Sequence, residues 1–523
     1  MKRSVLKKQS ILHSKNLVQT YLSLSLEQNL ALLQDTFDSC DDLVFHSIHF
    51  NTIPGCLIYL SEMVNSHALF ELDQGFNKYI GSSETESSDA IKSYIRNGFA
   101  FSNTNEVNSL ETVIDHILSG YTVLLIDKID HAFLFHSINE TGRAVQEPVA
   151  EPMVRGPREG FVENIETNLM MIRRKVRNPS LKVNHLRVGK QTNTELSVVY
   201  IKGIADEKVV DEVHHRLSRI DIDGVLESHY LESMIADTRW SPFPTVYSTE
   251  RPDRVCAALL DGKVAILTDG TPFVLTAPAV FVEFLHSNED YYNGSLIATF
   301  TRWIRFLGLF ITLILPSFYV AMTTFHQDLL QTPLLLRIAA SRENLPYPIV
   351  VEAFFMVITF ELVREAGLRM PKPFGGAVVT ILGLVLISQA AVQAGIIGPV
   401  MTVVVSVTAL VSFILPNYAF HQVIRFLGLP LLLLAGLFGF MGILVGLMFA
   451  LAHLVSLRSF GVPYFSPVSP ARKEGWKDVF IRAPWWAMET RPPGLNIKNI
   501  HRAGPNDSNP SRKNEEVDAD DKA

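Results

Sequence analysis

The rhythm of apolar positions changes twice along the 523 residues. Up to about residue 290 they come in short bursts. Leu17, Leu22, Leu24, Leu26, Leu30 and Leu33 predict an amphipathic helix within residues 1–35. The runs 42–48, 55–60, 121–126 and 132–135 read as strands, the last two as an antiparallel pair across 127–131. Residues 81–88 are wholly polar and read as a solvated loop. Phe161, Ile165, Leu169 and Ile172 lie on one helical face, and Arg173, Arg174, Lys175 and Arg177 follow at its C-terminal end. They read as a solvated helix end, with phospholipid or a partner subunit as the other reading. Residues 196–201 predict a strand, and 207–219 and 251–260 predict helices. Residues 263–268 and 273–275 flank Asp269-Gly270, a hairpin signal because this dipeptide accepts positive φ. The pattern divides the front into one unit over 1–145, a Pro- and Gly-rich linker over 147–160, and an α/β unit within 146–290. No repeat with a period of 20–50 residues is visible.

From Trp303 the bursts give way to long apolar runs. Segments 303–322, 349–366, 377–394 and 396–416 each approach the ~20 residues that cross a bilayer. Residues 423–457 are either one long tilted helix or two spans meeting near Gly436. The expectation is a transmembrane domain over 291–457 with five or six helices. Thr332-Pro333 opens a stretch to Arg342 too short to span, read as an interfacial or re-entrant helix. With a cytoplasmic N-terminus, Arg302, Arg305, Arg364, Arg369, Lys372 and Arg425 fall on the cytoplasmic side, and Arg337 and Arg342 do not. Six spans would return Arg472, Lys473 and Lys477 to the cytoplasm. Residues 458–523 form a polar tail, expected to be disordered after about 495. The fold class is therefore α+β joined to a multi-pass membrane domain.

Composition sharpens this division. Only 12 of 99 acidic and basic residues lie in the 155 positions from Trp303 to Leu457. The other positions carry an ordinary globular share. The mean hydropathy of +0.20 and a charged fraction of 19% exclude a plain soluble enzyme and a disordered chain. A net charge of −7 gives no reason to expect nucleic acid. Cys40, Cys56 and Cys256 are too few and too scattered for a disulfide framework or a zinc site. Nucleotide-binding glycine loops, a nucleophile elbow and zinc-protease or CxxC motifs are all missing from the sequence. No catalytic residue, metal or cofactor is expected.

The informative residues are polar groups inside the apolar block. Glu352, Glu361, Arg364 and Glu365 lie in or at the end of the second segment. A charge in hydrocarbon is costly and usually faces protein or water. Glu361 and Arg364 are spaced to pair, although 361–365 also suits the headgroup end of a helix. Gln389 and Gln393 share a stripe with Val385, Val392 and Ile396 in the third segment. The stripe suits a water path or a hydrogen-bonded helix contact equally. Gly436, Gly439, Gly442 and Gly446 permit close helix approach.

Several longer strings occur in order: Gly156-Pro-Arg-Glu-Gly-Phe-Val-Glu-Asn164, Asn168-Leu-Met-Met-Ile-Arg-Arg174, Tyr200-Ile-Lys-Gly-Ile-Ala-Asp206, Pro242-Phe-Pro-Thr245 and Glu250-Arg-Pro-Asp253. Gly262-Lys-Val-Ala-Ile-Leu-Thr-Asp-Gly-Thr-Pro-Phe273, Leu315-Pro-Ser-Phe-Tyr-Val320, Arg364-Glu-Ala-Gly367 and Gln389-Ala-Ala-Val-Gln-Ala-Gly395 follow. Over about residues 150–455 the chain resembles the A subunits of the GerA-family nutrient germinant receptors of endospore-forming bacteria. Relatives more often place an acidic residue nearer the middle of the second segment than Glu361. The resemblance implies a multi-pass subunit of the inner spore membrane, its soluble region facing the spore core. It implies a transporter-like B subunit and a lipoprotein C subunit as partners, lipid around the helices, and self-association in a ring, plausibly a pentamer. Nutrient binding, usually assigned to B, would open a cation path, with the Val385–Ile396 stripe as candidate lining. A non-conducting scaffold and a secondary transporter coupled through Glu361 and Arg364 are the alternatives.

Overall fold

Alternating apolar residues build two antiparallel sheets of one design. The computed structural model describes residues 21–50, 53–82, 91–95, 105–138, 147–343, 345–369, 376–492, 494, 497 and 499–503. The front of the first amphipathic helix, most of the polar loop 81–88 and the tail from 504 lie outside these residues.

In the first unit α1 (Leu26–Thr36) precedes β1 (Leu43–Phe50) and β2 (Ile53–Leu60). Then come α2 (Ser66–Ser82), β3 (Asn105–Val107), α3 (Leu110–Leu118), β4 (Thr122–Ile126) and β5 (Ala132–Phe135). The second unit repeats the plan: α4 (Ile165–Lys175), β6 (Leu181–Val188), β7 (Thr194–Ile201), α5 (Glu207–Ser218), α6 (Ser228–Ile235), β8 (Tyr247–Thr249), α7 (Pro252–Leu260), β9 (Val264–Thr268) and β10 (Val274–Ala277). The sheet orders are β1-β2-β4-β5-β3 and β6-β7-β9-β10-β8, the same order in both. The registers also coincide: Gly55 faces Ile126 as Leu196 faces Thr268, and Thr122 faces Phe135 as Val264 faces Ala277.

The duplication extends to single hydrogen bonds. Asn29 bonds both backbone groups of Ser23, and Asn168 does the same to Val162. Asp127 caps the start of α1 by accepting from Leu26 N, and Asp269 accepts from Ile165 N. The residue after each Asp has positive φ, Lys128 at 64° and Gly270 at 87°. Gly120 and Gly262, both at φ 88°, close the helix before the fourth strand of each unit.

The two units are locked by a buried ion pair. Arg173 Nε and Nη2 each donate to Asp42 at 2.8 Å, and the side chains are 1% and 0% exposed. This corrects the reading of the basic cluster: Arg174, Lys175 and Arg177 are exposed, but Arg173 turns inward. Backbone bridges such as Asp41 N to Val183 O complete the seam. Beside it, Glu62 is buried near Asp42, Arg173 and His185, whose Nε2 is 3.8 Å away. Burial, then the like charge of Asp42, push its carboxyl from 4.5 up to about 7. A folded-state pKa raised in this way means that stability falls as pH climbs from 4.5 to about 7 and stays lower above. Glu62→Gln is therefore expected to match the parent near pH 4.5 and exceed it at pH 8, by about 3 kcal/mol. Hydrogen exchange of β1 and β2 amides at both pH values measures this.

The helical part holds α8 (Ser295–Thr324), α9 (Thr332–Arg342), α10 (Ile349–Arg369), α11 (Gly376–Gln393), α12 (Pro399–Ser412) and α13 (Tyr418–Ser456). Among the described residues two helices, α8 and α13, are long and apolar enough by themselves to cross a membrane, against the five or six spans expected. The physical reasons are local. Helix α10 carries Glu352, Glu361, Arg364, Glu365 and Arg369. The fourth segment is helical only over the 14 residues of α12, because Gly395 (φ 65°) and Gly398 precede it. Part of the side chains of α11 lie outside the described residues. Helix α13 is two limbs broken at Gly439 (φ 62°, ψ −140°), not at Gly436. Gly442 in the second limb lies against the Leu434 backbone of the first, so the limbs fold back on each other. The ten-residue stretch from Pro333 is helical in α9, with Gln331 rather than Thr332 at the N-cap.

The two ends of the bundle differ. At the far end Gly439 lies against Phe325 and His326, Gly436 against Val350, and Gly398 against Glu352. At the near end the start of α8, the ends of α10 and α12, and both ends of α13 meet the second sheet unit. Phe281, Phe284, Phe420 and Tyr464 form an aromatic core there. The chain after α13 returns to the soluble side. Ser459 Oγ donates to Thr245 O and accepts from Ala279 N, and Arg216 stacks over Phe460 at 4.4 Å.

Candidate functional site

Charge enters the bundle in three places, each with partners far away in sequence. The first is the near-end junction. Arg302, fully buried in the second turn of α8, reaches Asp290 at 3.1 Å and Asp478 at 2.9 Å. Arg305 shares Asp290 at 2.7 Å, and the Tyr291 hydroxyl donates to Asp478 at 2.8 Å. This network ties the soluble unit, the first long helix and the segment after α13 together. His286 sits behind it with Nε2 3.1 Å from Val479 O. Burial and the neighbouring Arg302 hold its pKa well below the usual range, so the ring is neutral. A cavity of about 240 Å³ opens beside this network, lined by Asp261, Lys263 and Arg491 among others. Burial pushes Asp261 up to about 6, with Arg502 3.2 Å away opposing it.

The second place is the far end. Glu352, 1% exposed, pairs with Arg342 of α9 at 2.8 Å and accepts from Gly398 N at 3.2 Å. One carboxylate thus fastens α9 and the start of α12 to α10. The third lies toward the near end of α10. Glu361 makes its short contact with Arg425 of α13, and Arg364 lies 3.6 Å from the same carboxylate. Arg364 is nearly buried, and its Nε has no partner. Glu365 stays at the exposed rim with Arg369 at 2.8 Å. Sequence spacing identified Glu361–Arg364 but missed Arg425, because partners on different helices leave no local signal.

The stripe on α11 faces outward. Val385 is 44% and Ile396 45% exposed. Gln389 and Gln393 are exposed, and Val392 is half-buried. Val385, Gln389, Val392 and Gln393 lie on α11, whereas Ile396 falls beyond its end, after Gly395 at φ 65°. The glycines of α13 meet close neighbours: a Cβ on Gly436 would lie 2.6 Å from Val350, and one on Gly446 2.7 Å from Leu431. Gly439 and Gly442 form the turn and the crossing below it. Among the described residues no three His, Cys, Asp or Glu side chains group as a metal site.

Two soluble sheets, a buried charged junction and long helices with apolar outer faces define a membrane protein with a folded soluble region. The family described as Bacillus/Clostridium GerA spore germination protein matches residues 31–493. The chain belongs to this family, among the A subunits of the spore germinant receptors. It is 40% identical over 486 residues to Spore germination protein KA of Bacillus subtilis, covering 92% of this chain and 89% of the relative. It is 41% identical over 387 residues to Spore germination protein GerLA of Bacillus cereus, covering 74% and 78%. An uncharacterized membrane protein of Bacillus subtilis, YfkQ, is 39% identical over 93% of this chain and 95% of its own length. A crystal structure of the N-terminal domain of the A subunit of the Bacillus megaterium germinant receptor GerK3 is 30% identical. It covers 50% of this chain and 98% of that domain, with a TM-score of 0.40.

Proposed function

We propose that the chain is the A subunit of a nutrient-sensing receptor of the inner spore membrane, and that several copies form a ring around a nutrient-gated cation path. The observation that carries this reading is the open face of α11. Two exposed glutamine amides, Gln389 and Gln393, stand on a helix whose other polar residues are Thr380 and Ser388. Lipid cannot satisfy an amide, so such a face calls for water or for a neighbouring copy. Only 33% of the most apolar window of α13 is buried within the chain, which leaves a large apolar surface for lipid or partners. The helix ends alternate: α8, α11 and the first limb of α13 run away from the soluble units, and α10, α12 and the second limb return. Both soluble parts therefore lie at one end of the bundle, which this reading turns toward the spore core. The B and C subunits are the expected partners, and five copies the expected ring.

In this mechanism nutrient bound to B favours one arrangement of the A ring over another by its differential affinity alone. A narrow apolar collar around Val385, Val392 and Ile396 stays dry and closed, and widening wets it. The scaffold alternative lacks any conducting step. The transporter alternative predicts an inverted repeat among the helices, whereas the duplication in this chain lies in the soluble sheets. Cysteine placement tests the ring. With Cys40, Cys56 and Cys256 replaced, Gln389→Cys or Gln393→Cys in the assembled receptor is expected to cross-link copies on mild oxidation. Ser406→Cys on α12 is the comparison position. Cross-linking no greater at 389 or 393 than at 406 contradicts the placement of α11 at the ring interior.

A further inference from the structure

At the near end, a second cavity of about 610 Å³ lies between the soluble unit and the helix ends. Its lining combines apolar side chains, Leu368, Phe413, Leu415 and Tyr418, with the guanidinium groups of Arg254 and Arg364. Leu368 and Phe413 are also 55% and 53% open to the outside, so the apolar lining runs on to the outer surface of the bundle.

The charge inside is unbalanced. Arg251 also lines the cavity but is paired with Asp253 at 3.0 Å. Arg254 is held by Asn288 Oδ1 at 3.0 Å and the Glu283 carbonyl at 3.1 Å. Among the described residues no carboxylate lies within ion-pair distance of it. Glu151 is the one carboxylate in the lining, and it accepts from the Thr249 hydroxyl; burial raises its pKa, which weakens it as a counter-ion. Glu361 is engaged by Arg425, so it compensates Arg364 only at 3.6 Å. Two of the lining residues carry buried polar atoms without partners: Arg364 Nε and His421 Nε2, on side chains 7% and 5% exposed. Buried guanidinium charge without a full set of acceptors is costly, and an anion with several oxygens removes that cost.

We infer that this cavity binds the phosphodiester headgroup of an anionic phospholipid, with Arg254, Arg364 and His421 around the phosphate and the acyl chains leaving along Leu368 and Phe413. The site rests on the membrane reading given above. Its depth matches a headgroup, since it sits where three helices end against the soluble unit. Its amphipathic walls match a lipid better than a free anion, and the volume leaves room for more than a phosphate. A bound lipid would join α10, α12 and α13 to the linker at Val149–Met153 without any protein–protein bond.

The test uses the full chain reconstituted into vesicles of phosphatidylcholine, alone or with an equal share of phosphatidylglycerol. After gentle extraction, native mass spectrometry reads retained lipid. The parent is expected to keep one phosphatidylglycerol per chain in preference to phosphatidylcholine, and excess inorganic phosphate is expected not to displace it. Arg364→Gln is expected to lower that retention about tenfold, the size of one lost charge-assisted contact. Arg369→Gln, on the exposed rim, should leave it unchanged. Leu368→Trp, which fills the apolar wall and keeps every charge, should also lower retention, and this guards against misfolding of Arg364→Gln. Displacement by inorganic phosphate would replace the lipid with a free anion and overturn the inference. Equal retention of both lipids, or no effect of either variant, would overturn it as well. Failure to enter vesicles at all would instead contradict the membrane reading.

Discussion

Arg173→Met is expected to open the seam between the two sheet units. Asp42 would be left as a carboxylate with 0% exposure and no cation. Breaking a buried pair from one side typically costs about 3–5 kcal/mol, because the remaining charge keeps its desolvation penalty. Nothing else at the seam can take over. Glu62 is acidic, and Lys182 donates to Thr36 O and faces Cys40 instead. The free energy of opening at β1 and β6 amides, measured by hydrogen exchange on the full chain, should fall by about that amount. Removing both partners in Arg173→Met with Asp42→Leu should recover most of the loss. A single variant with unchanged protection would show that the backbone bridges and the other cross-seam contacts, such as Lys202 to Asp38 at 2.7 Å, hold the seam without this pair.

Gly442→Ala should prevent the limbs of α13 from closing. The added methyl would overlap the Leu434 carbonyl, which is backbone and cannot turn aside. Gly428→Ala on the same element meets nothing within 4 Å and serves as the comparison. Adding a methyl to a glycine in open helix normally stabilises by about 0.5–1 kcal/mol. The two substitutions, identical in chemistry, should therefore differ in sign. Gly442→Ala is expected to lose folded protein in membranes, read as rapid proteolysis within 418–456, and Gly428→Ala to keep it. Equal survival of both would mean that the crossing at Gly442 relaxes at little cost.

Much of the architecture was legible in the sequence where it depends on local pattern. The paired strands 122–126 and 132–135, the hairpin through Asp269-Gly270 and the helix ending at Lys175 follow from periodicity and turn chemistry. The duplication was not legible. What the two units share is a register, a few apolar strands and single residues such as Asn29 and Asn168, or Asp127 and Asp269. These are positions where a backbone group needs one particular partner, and other positions have diverged. A repeat longer than a hundred residues also escapes a search for short periods. Arg173 looked like a helix-end cation because sequence shows the helix end but not the carboxylate that the other unit brings to it. The same holds for Glu361 and Arg425. Hydropathy located the helices but not the break at Gly439, because the four glycines spaced along this apolar run are equivalent in sequence until a neighbour decides which one must turn.

The junction gives the soluble units a rigid grip on the helices. Arg302, Asp290 and Asp478 are joined by several bonds, so one buried network holds the start of α8 to the soluble side. That coupling is what a receptor subunit needs if an event at one partner is to change the packing of its membrane helices.

The most direct measurement of the central claim is ion release. The chain would be reconstituted in liposomes with its B and C partners, loaded with potassium, and exposed to candidate nutrients. The account predicts release that depends on nutrient in the parent and becomes constitutive in Val392→Ala, because a smaller side chain widens the collar, which then wets without a signal. No release from a complex that binds nutrient, in the parent and in the variant alike, would contradict a conducting A ring and assign the ion path to another protein.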